Sequence, residues 1–159
     1  MMASRNIGLR ALQQKRTIFG WLSQNKMIYP PSPSQISTKN RLFPTYIDHP
    51  TELGTIVLDK DPLILNFTIP GDKKCNEVTQ ALYDILGDSK RYPFDGAKPV
   101  SMASIACDSP GGKELQLQYV VNNIPTLVLL KKQMVMDSYV PKPGPDVHKE
   151  VMKFVKSIY

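Results

Sequence analysis

The run Leu63-Ile64-Leu65-Asn66-Phe67 constrains this chain more than any other segment. It is apolar at every position but one, it has strand length, and Pro70-Gly71 closes it. A strand with one wet face alternates apolar and polar residues; a nearly continuous apolar run needs cover on both faces. Helices ordinarily give that cover, so the segment predicts an α/β layer architecture.

The sequence around it contains such helices. Cys75, Val78, Leu82, Ile85 and Leu86 fall at helical spacing, with Gly87 as a C-terminal stop. Near the end of the chain, Val147, Val151, Phe154, Val155 and Ile158 form one apolar face at i, i+4, i+7, i+8 and i+11. Between these helices, Val100–Cys107 reads as a strand, Lys113–Val121 as a short helix, and Thr126–Leu130 as a further strand. Lys131-Lys132-Gln133 makes a tight polar turn into Met134–Val140, its hairpin partner. Thr55–Leu58 reads as a short first strand. The expected order is β-β-α-β-α-β-β-α, a central mixed sheet with helices on both faces.

Charge divides the chain in two. The net charge is +6, which on its own suggests a nucleic-acid partner. Yet Met1 to Ile47 holds seven Lys or Arg residues and no Asp or Glu, while the remainder sets thirteen basic residues against fourteen acidic ones. A nucleic-acid binder needs its basic stripe on the folded domain, so none is expected as a partner. In the basic segment Arg5, Arg10, Lys15 and Arg16 are spread among Ile7, Leu9, Leu12, Ile18, Phe19, Trp21 and Leu22. That amphipathic, acid-free composition is the one used by mitochondrial presequences, against the plainer reading of a disordered basic arm. Tyr29 to Pro50 carries Pro30, Pro31, Pro33, Pro44 and Pro50 and reads as linker. The expected organisation is a disordered basic N-terminal extension with its Pro-rich linker over residues 1–50, and one folded domain over 51–159.

Other function classes fall away on simple counts. Two cysteines are too few for a secreted disulfide scaffold. No apolar run reaches the roughly eighteen residues of a membrane span. His49 and His148 are far apart with no close cysteine pair, so no metal is expected. Gly111-Gly112 lacks the Lys-Ser or Lys-Thr of a phosphate-cradling loop, and no cofactor is expected.

Three local matches make roughly Leu53–Tyr159 resemble the thioredoxin superfamily. Cys75 follows Phe67 by eight residues, the place of the second cysteine in the family's Cys-Gly-Pro-Cys. Ser104-Ile105-Ala106-Cys107-Asp108 is similar to the family strand that ends in an apolar residue and Asp. Tyr119-Val120-Val121-Asn122-Asn123-Ile124-Pro125-Thr126 resembles Tyr-x-(Val/Ile)-x-x-(Ile/Val)-Pro-Thr, whose proline is cis. The resemblance implies a thioredoxin-like fold, a cis Ile124–Pro125 bond, and Cys107 ending its strand beside the cis-proline loop on the same rim.

The departures touch the chemistry. Aligned on Cys75, the first cysteine's place is held by Asp72, with Lys73-Lys74 between. Asn66 stands where the family keeps a buried Asp as proton acceptor, and the tryptophan before the motif is missing. Dithiol exchange needs an exposed thiolate to attack and a second thiol to resolve the mixed disulfide. By the resemblance, the sulfur retained here is the shielded one. Cys75 then reads either as a small buried apolar residue or as a lone thiol activated by the ammonium groups of Lys73 and Lys74. A Cys75–Cys107 disulfide would need the Cα atoms within about 7 Å.

What survives such losses is a binding surface, because a cis-proline leaves the preceding backbone open to an extended peptide. Asp72, Lys73, Cys75, Cys107, Ile124 and Pro125 would form it. The expected function is that of a redox-inactive, protein-binding or assembly module of the mitochondrial matrix. The alternative is a thiol–disulfide oxidoreductase using Cys75 alone or with Cys107, and a third reading is a subunit of a larger mitochondrial complex.

Overall fold

Five strands make one mixed sheet in the order β1-β3-β2-β4-β5, with β1 at Arg41–Leu42, β2 at Leu63–Thr68, β3 at Ser101–Ala106, β4 at Thr126–Lys131 and β5 at Met134–Tyr139. These come from a computed structural model that describes residues 26–159, so the presequence-like segment lies outside the described residues. All six residues of the central β2 are buried. It pairs with β3 in parallel, Leu63 to Ser101 through Thr68 to Ala106, and with β4 antiparallel, Leu63 to Leu130 through Phe67 to Thr126.

Four helices cover the sheet: α1 (Pro50–Ile56), α2 (Lys73–Gly87), α3 (Pro110–Gln118) and α4 (Val147–Lys156). On one face Ile64, Met102 and Leu127 meet Val78, Leu82, Leu86, Val151 and Phe154 of α2 and α4. On the other, Leu65, Phe67, Ile105 and Val128 meet Leu53 of α1 and Leu115 of α3. Adjacent residues of β2 thus serve opposite cores, which is why the run is apolar throughout.

Two expectations are corrected. Thr55–Leu58 is not a strand: Thr55 and Ile56 close α1, and Val57 caps it. Their β-branched side chains suit a strand, but Pro50 stands at the first helical position and the Nδ1 of His49 accepts the backbone N–H of Thr51 at 3.3 Å. A start so well prepared outweighs a weak strand propensity.

The Pro-rich stretch is not a linker, and the folded body begins well before residue 51. Residues 26–40 run along α2 toward its C-terminal end, where helix carbonyls lack intrahelical partners. Ser37 N–H donates to the Gly87 carbonyl at 3.0 Å, and the Asn40 Nδ2 donates to the Leu86 carbonyl at 2.8 Å. The Asn40 Oδ1 accepts the backbone N–H of Val100 at 2.8 Å, tying this strap to the entry of β3. Arg41–Leu42 then pair with Ser101–Met102 as the edge strand, and Ile47, 2% exposed, bridges to Ile105. Proline forbids a helix here but not an extended strap that draws its hydrogen bonds from elsewhere.

The start of α3 differs by three residues, beginning at Pro110 with the Ser109 Oγ accepting the N–H of Gly112 at 2.9 Å. A Cβ on Gly112 would lie 1.7 Å from the Ala106 carbonyl oxygen, and one on Gly111 would lie 2.1 Å from that of Asp48. The glycine pair lets the first turn of α3 press on two backbones at once.

Candidate functional site

The end of β2 delivers the chain into α2 through Pro70-Gly71, with Gly71 at φ 86°, and the sequence-derived site is assembled at this junction. Asp72 is the N-cap of α2 and its Oδ2 accepts the backbone N–H of Cys75 at 3.0 Å. Asp72, Lys73 and Lys74 are exposed, whereas Cys75 is 2% exposed. Burial pushes the Cys75 thiol up from its ordinary value; the Ile69 backbone opposes this, and the Asp72 carboxylate adds to it.

Asn66 is enclosed in a polar cluster instead of offering a base. Its Nδ2 donates to the Thr79 Oγ1 at 2.8 Å and to the Ser104 Oγ at 3.1 Å, and Thr79 donates onward to the Cys75 carbonyl at 3.0 Å. The Asn66 Oδ1 and the Thr68 Oγ1 are buried without a partner. A carboxylate in the place of Asn66 would be an unpaired charge in the core; the neutral amide is the less costly occupant.

Cys107 is also buried, 5% exposed, and its backbone N–H donates to the Thr68 carbonyl at 2.9 Å. Burial pushes its thiol up to about 12, with smaller contributions from nearby Cys75 and Asp108. Both cysteines are free. Neither has the low-pKa, solvent-facing setting of an attacking thiolate.

The Ile124–Pro125 peptide bond is cis, with Pro125 buried and Ile124 half-buried. The strand pairing separates this loop from Cys107. β3 lies along one edge of β2 and β4 along the other, so Cys107 and Pro125 flank the end of β2 from opposite sides. They share a rim, one on each side of β2, and Ile124 packs against the core cluster that contains Cys107. Asp72, Lys73 and Cys75 sit at the junction between them.

Sequence reasoning missed the strap. The Asn76 Nδ2, in the first turn of α2, donates to the Lys26 carbonyl at 3.0 Å, and the Tyr46 hydroxyl donates to the Ile28 carbonyl at 2.7 Å. Tyr29 meets Tyr46 edge to face, ring centroids 6.0 Å apart. Lys26–Tyr29 therefore crosses the α2 entrance and leaves a groove on each side. One, about 380 Å³, is lined by Ile28, Lys73, Asn76, Val147 and His148. The other, about 340 Å³, is lined by residues of the strap and of the β2 and β3 ends. Only the density of tyrosine and proline hinted at it in the sequence.

No protein-family model matches the chain, and no curated protein matches it by sequence. Its fold is that of the thioredoxins. Oxidised mitochondrial thioredoxin 3 from Saccharomyces cerevisiae superposes with a TM-score of 0.51 at 18% identity, over 69% of this chain and 93% of that one. Thioredoxin O2 from Arabidopsis thaliana gives 0.54 at 15% identity, over 79% and 98%. A point-mutant thioredoxin from Halobacterium salinarum gives 0.53 at 20% identity, over 77% and 94%. The chain is a thioredoxin-like protein in architecture.

Proposed function

We propose that this is a mitochondrial thioredoxin-like protein that does not exchange disulfides and acts as a protein-binding or assembly module. The observation that carries the reading is Asp72 in the place of the attacking cysteine, engaged as a helix cap, with the retained Cys75 sulfur beneath it. Attack needs an accessible thiolate and release needs a second thiol in reach; two buried thiols of raised pKa offer neither. An extended peptide pairing beside Ile124–Pro125 is the binding mode this surface supports best. The acid-free basic composition of residues 1–25 supports import, and the packing of the strap supports placing the removable part ahead of Lys26.

The second reading, a thiol–disulfide oxidoreductase through Cys75 and Cys107, draws on one observation: both thiols are free and both follow the same end of the paired strands β2 and β3. Insulin reduction separates the two. Wild type is expected to give background rates, and Asp72→Cys to gain turnover that disappears with Cys75→Ser. Wild-type turnover abolished by Cys75→Ser would establish the enzyme instead. A reporter fused to residues 1–25 is expected to enter mitochondria only while the membrane potential is maintained; retention in the cytosol would refute the address.

A further inference from the structure

The groove of about 340 Å³ lies on the Cys107 side of β2, away from Pro125, and is lined by Tyr29, Tyr46, Asp48, Pro70, Asp108 and Ser109 among others. Its volume is at the small end of ligand pockets, about 300–1,000 Å³, room for one long side chain. The strap builds one wall. Without Lys26–Tyr29 there would be an open rim here.

The charge of this groove is uncompensated. Asp48 and Asp108 are exposed, and neither is within ion-pair distance of a Lys, Arg or His among the described residues. The Glu52 carboxyl lies against Asp48, whose hydrogen bond raises its pKa, while neighbouring His49 acts against the shift. The helices α1 and α3 begin beside Asp48 and Asp108, and their N-terminal dipoles offset part of that charge. Each helix end counts as roughly half a positive charge, so the two carboxylates that line the groove against two helix ends leave about −1.

The walls suit the stem and head of a cation. The Tyr29 and Tyr46 rings stand at 74° to each other, and the Tyr46 hydroxyl is held by the Ile28 carbonyl. A guanidinium or ammonium over a ring face is attracted within about 6 Å of the centroid. Met27 and Pro70 give apolar surface along which a methylene stem can lie.

We propose that this groove docks an arginine or lysine side chain from an extended segment of a partner protein. The inference goes beyond the cis-proline surface and stands apart from it, since the two lie on opposite sides of β2.

The test is a titration of full-length ¹⁵N-labelled protein with the peptide acetyl-Gly-Arg-Gly-amide and with its citrulline counterpart, which keeps the shape and removes the charge. Saturable shifts are expected at Tyr46, Asp48, Asp108 and Ser109, and weaker ones with citrulline. Asp48→Asn with Asp108→Asn should weaken arginine binding about fivefold, the upper range for an exposed ion pair, while Asp146→Asn leaves it unchanged. Equal binding of both peptides, no saturable shift in the wild-type protein, or unchanged arginine affinity in an Asp48→Asn, Asp108→Asn variant whose spectrum is that of a folded protein overturns the proposal. Shifts at Asn123 and Ile124 instead would overturn it while supporting the cis-proline surface. If replacing Arg5, Arg10, Lys15 and Arg16 by Gln tightens peptide binding about tenfold or more, the tethered N-terminal segment is the occupant and docking of a partner is refuted.

Discussion

The Oδ2 of Asp72 lies 3.0 Å from the backbone nitrogen of Cys75, joining the two ends of the first turn of α2. An N-terminal helix turn has four N–H groups without helical partners, and this carboxylate satisfies one of them. Asp72→Ala should therefore destabilise the protein by about 1 kcal/mol, and Asp72→Asn by less, because asparagine caps nearly as well. Urea unfolding measures both; equal stability of Asp72→Ala and wild type would show that the cap contributes nothing.

Cys107 should make the protein sensitive to alkali. Its thiol is pushed up to about 12 by burial, so the folded state holds a proton that the unfolded state releases nearer pH 9. For an acid raised on folding, the unfolded state binds fewer protons through that window, and stability falls as pH rises. The urea midpoint should be level below pH 8 and decline from pH 9 upward. Burial raises Tyr83 and Tyr92 with the same sign, so the slope in Cys107→Ala isolates the thiol. An unchanged slope in that variant would remove Cys107 from the effect.

Two glycines should respond in opposite directions to the same substitution. Gly112→Ala drives a Cβ into the Ala106 carbonyl, backbone against backbone, and should destabilise by about 3 kcal/mol or more. Gly54 lies in α1, and an added methyl there would meet nothing within 4 Å, so Gly54→Ala should stabilise by roughly 0.5–1 kcal/mol. Thermal unfolding of the pair reads both signs.

Asn40 is 7% exposed and joins α2 to β3. In Asn40→Ala the Leu86 carbonyl keeps the Thr38 hydroxyl as donor, but the Val100 N–H loses the Asn40 oxygen. A buried donor left unpaired costs about 1–3 kcal/mol. Hydrogen exchange at the Val100 amide should accelerate more than at Met102, two residues on; equal acceleration at both would indicate global loosening instead.

The parts of the fold legible in the sequence were those with a strong period. β2, α2, β4 and α4 are long enough, and sufficiently buried, for their apolar spacing to declare them. α1 was hidden because Thr55, Ile56 and Val57 look like strand residues, and its cap, His49, is not among the usual capping types. β1 has two residues, too short for any pattern, and its strap follows no period because its hydrogen bonds go to the end of a distant helix. At the site, Asp72, Lys73 and Cys75 were legible because they adjoin in sequence. The groove was not, since Tyr29, Asp48, Pro70 and Asp108 meet only through the folded strap.

The bond from Val100 to Asn40 spans 60 positions, and Arg41 pairs with Ser101 across the same interval. A chain emerging in order from a ribosome or a translocation pore exposes its edge strand long before the partner strand exists. Until β3 has cleared the exit, Leu42 and Ile47 have no core to enter, and residues 26–47 must wait unfolded. Any helper that holds apolar chain in transit would have its longest hold on this strap.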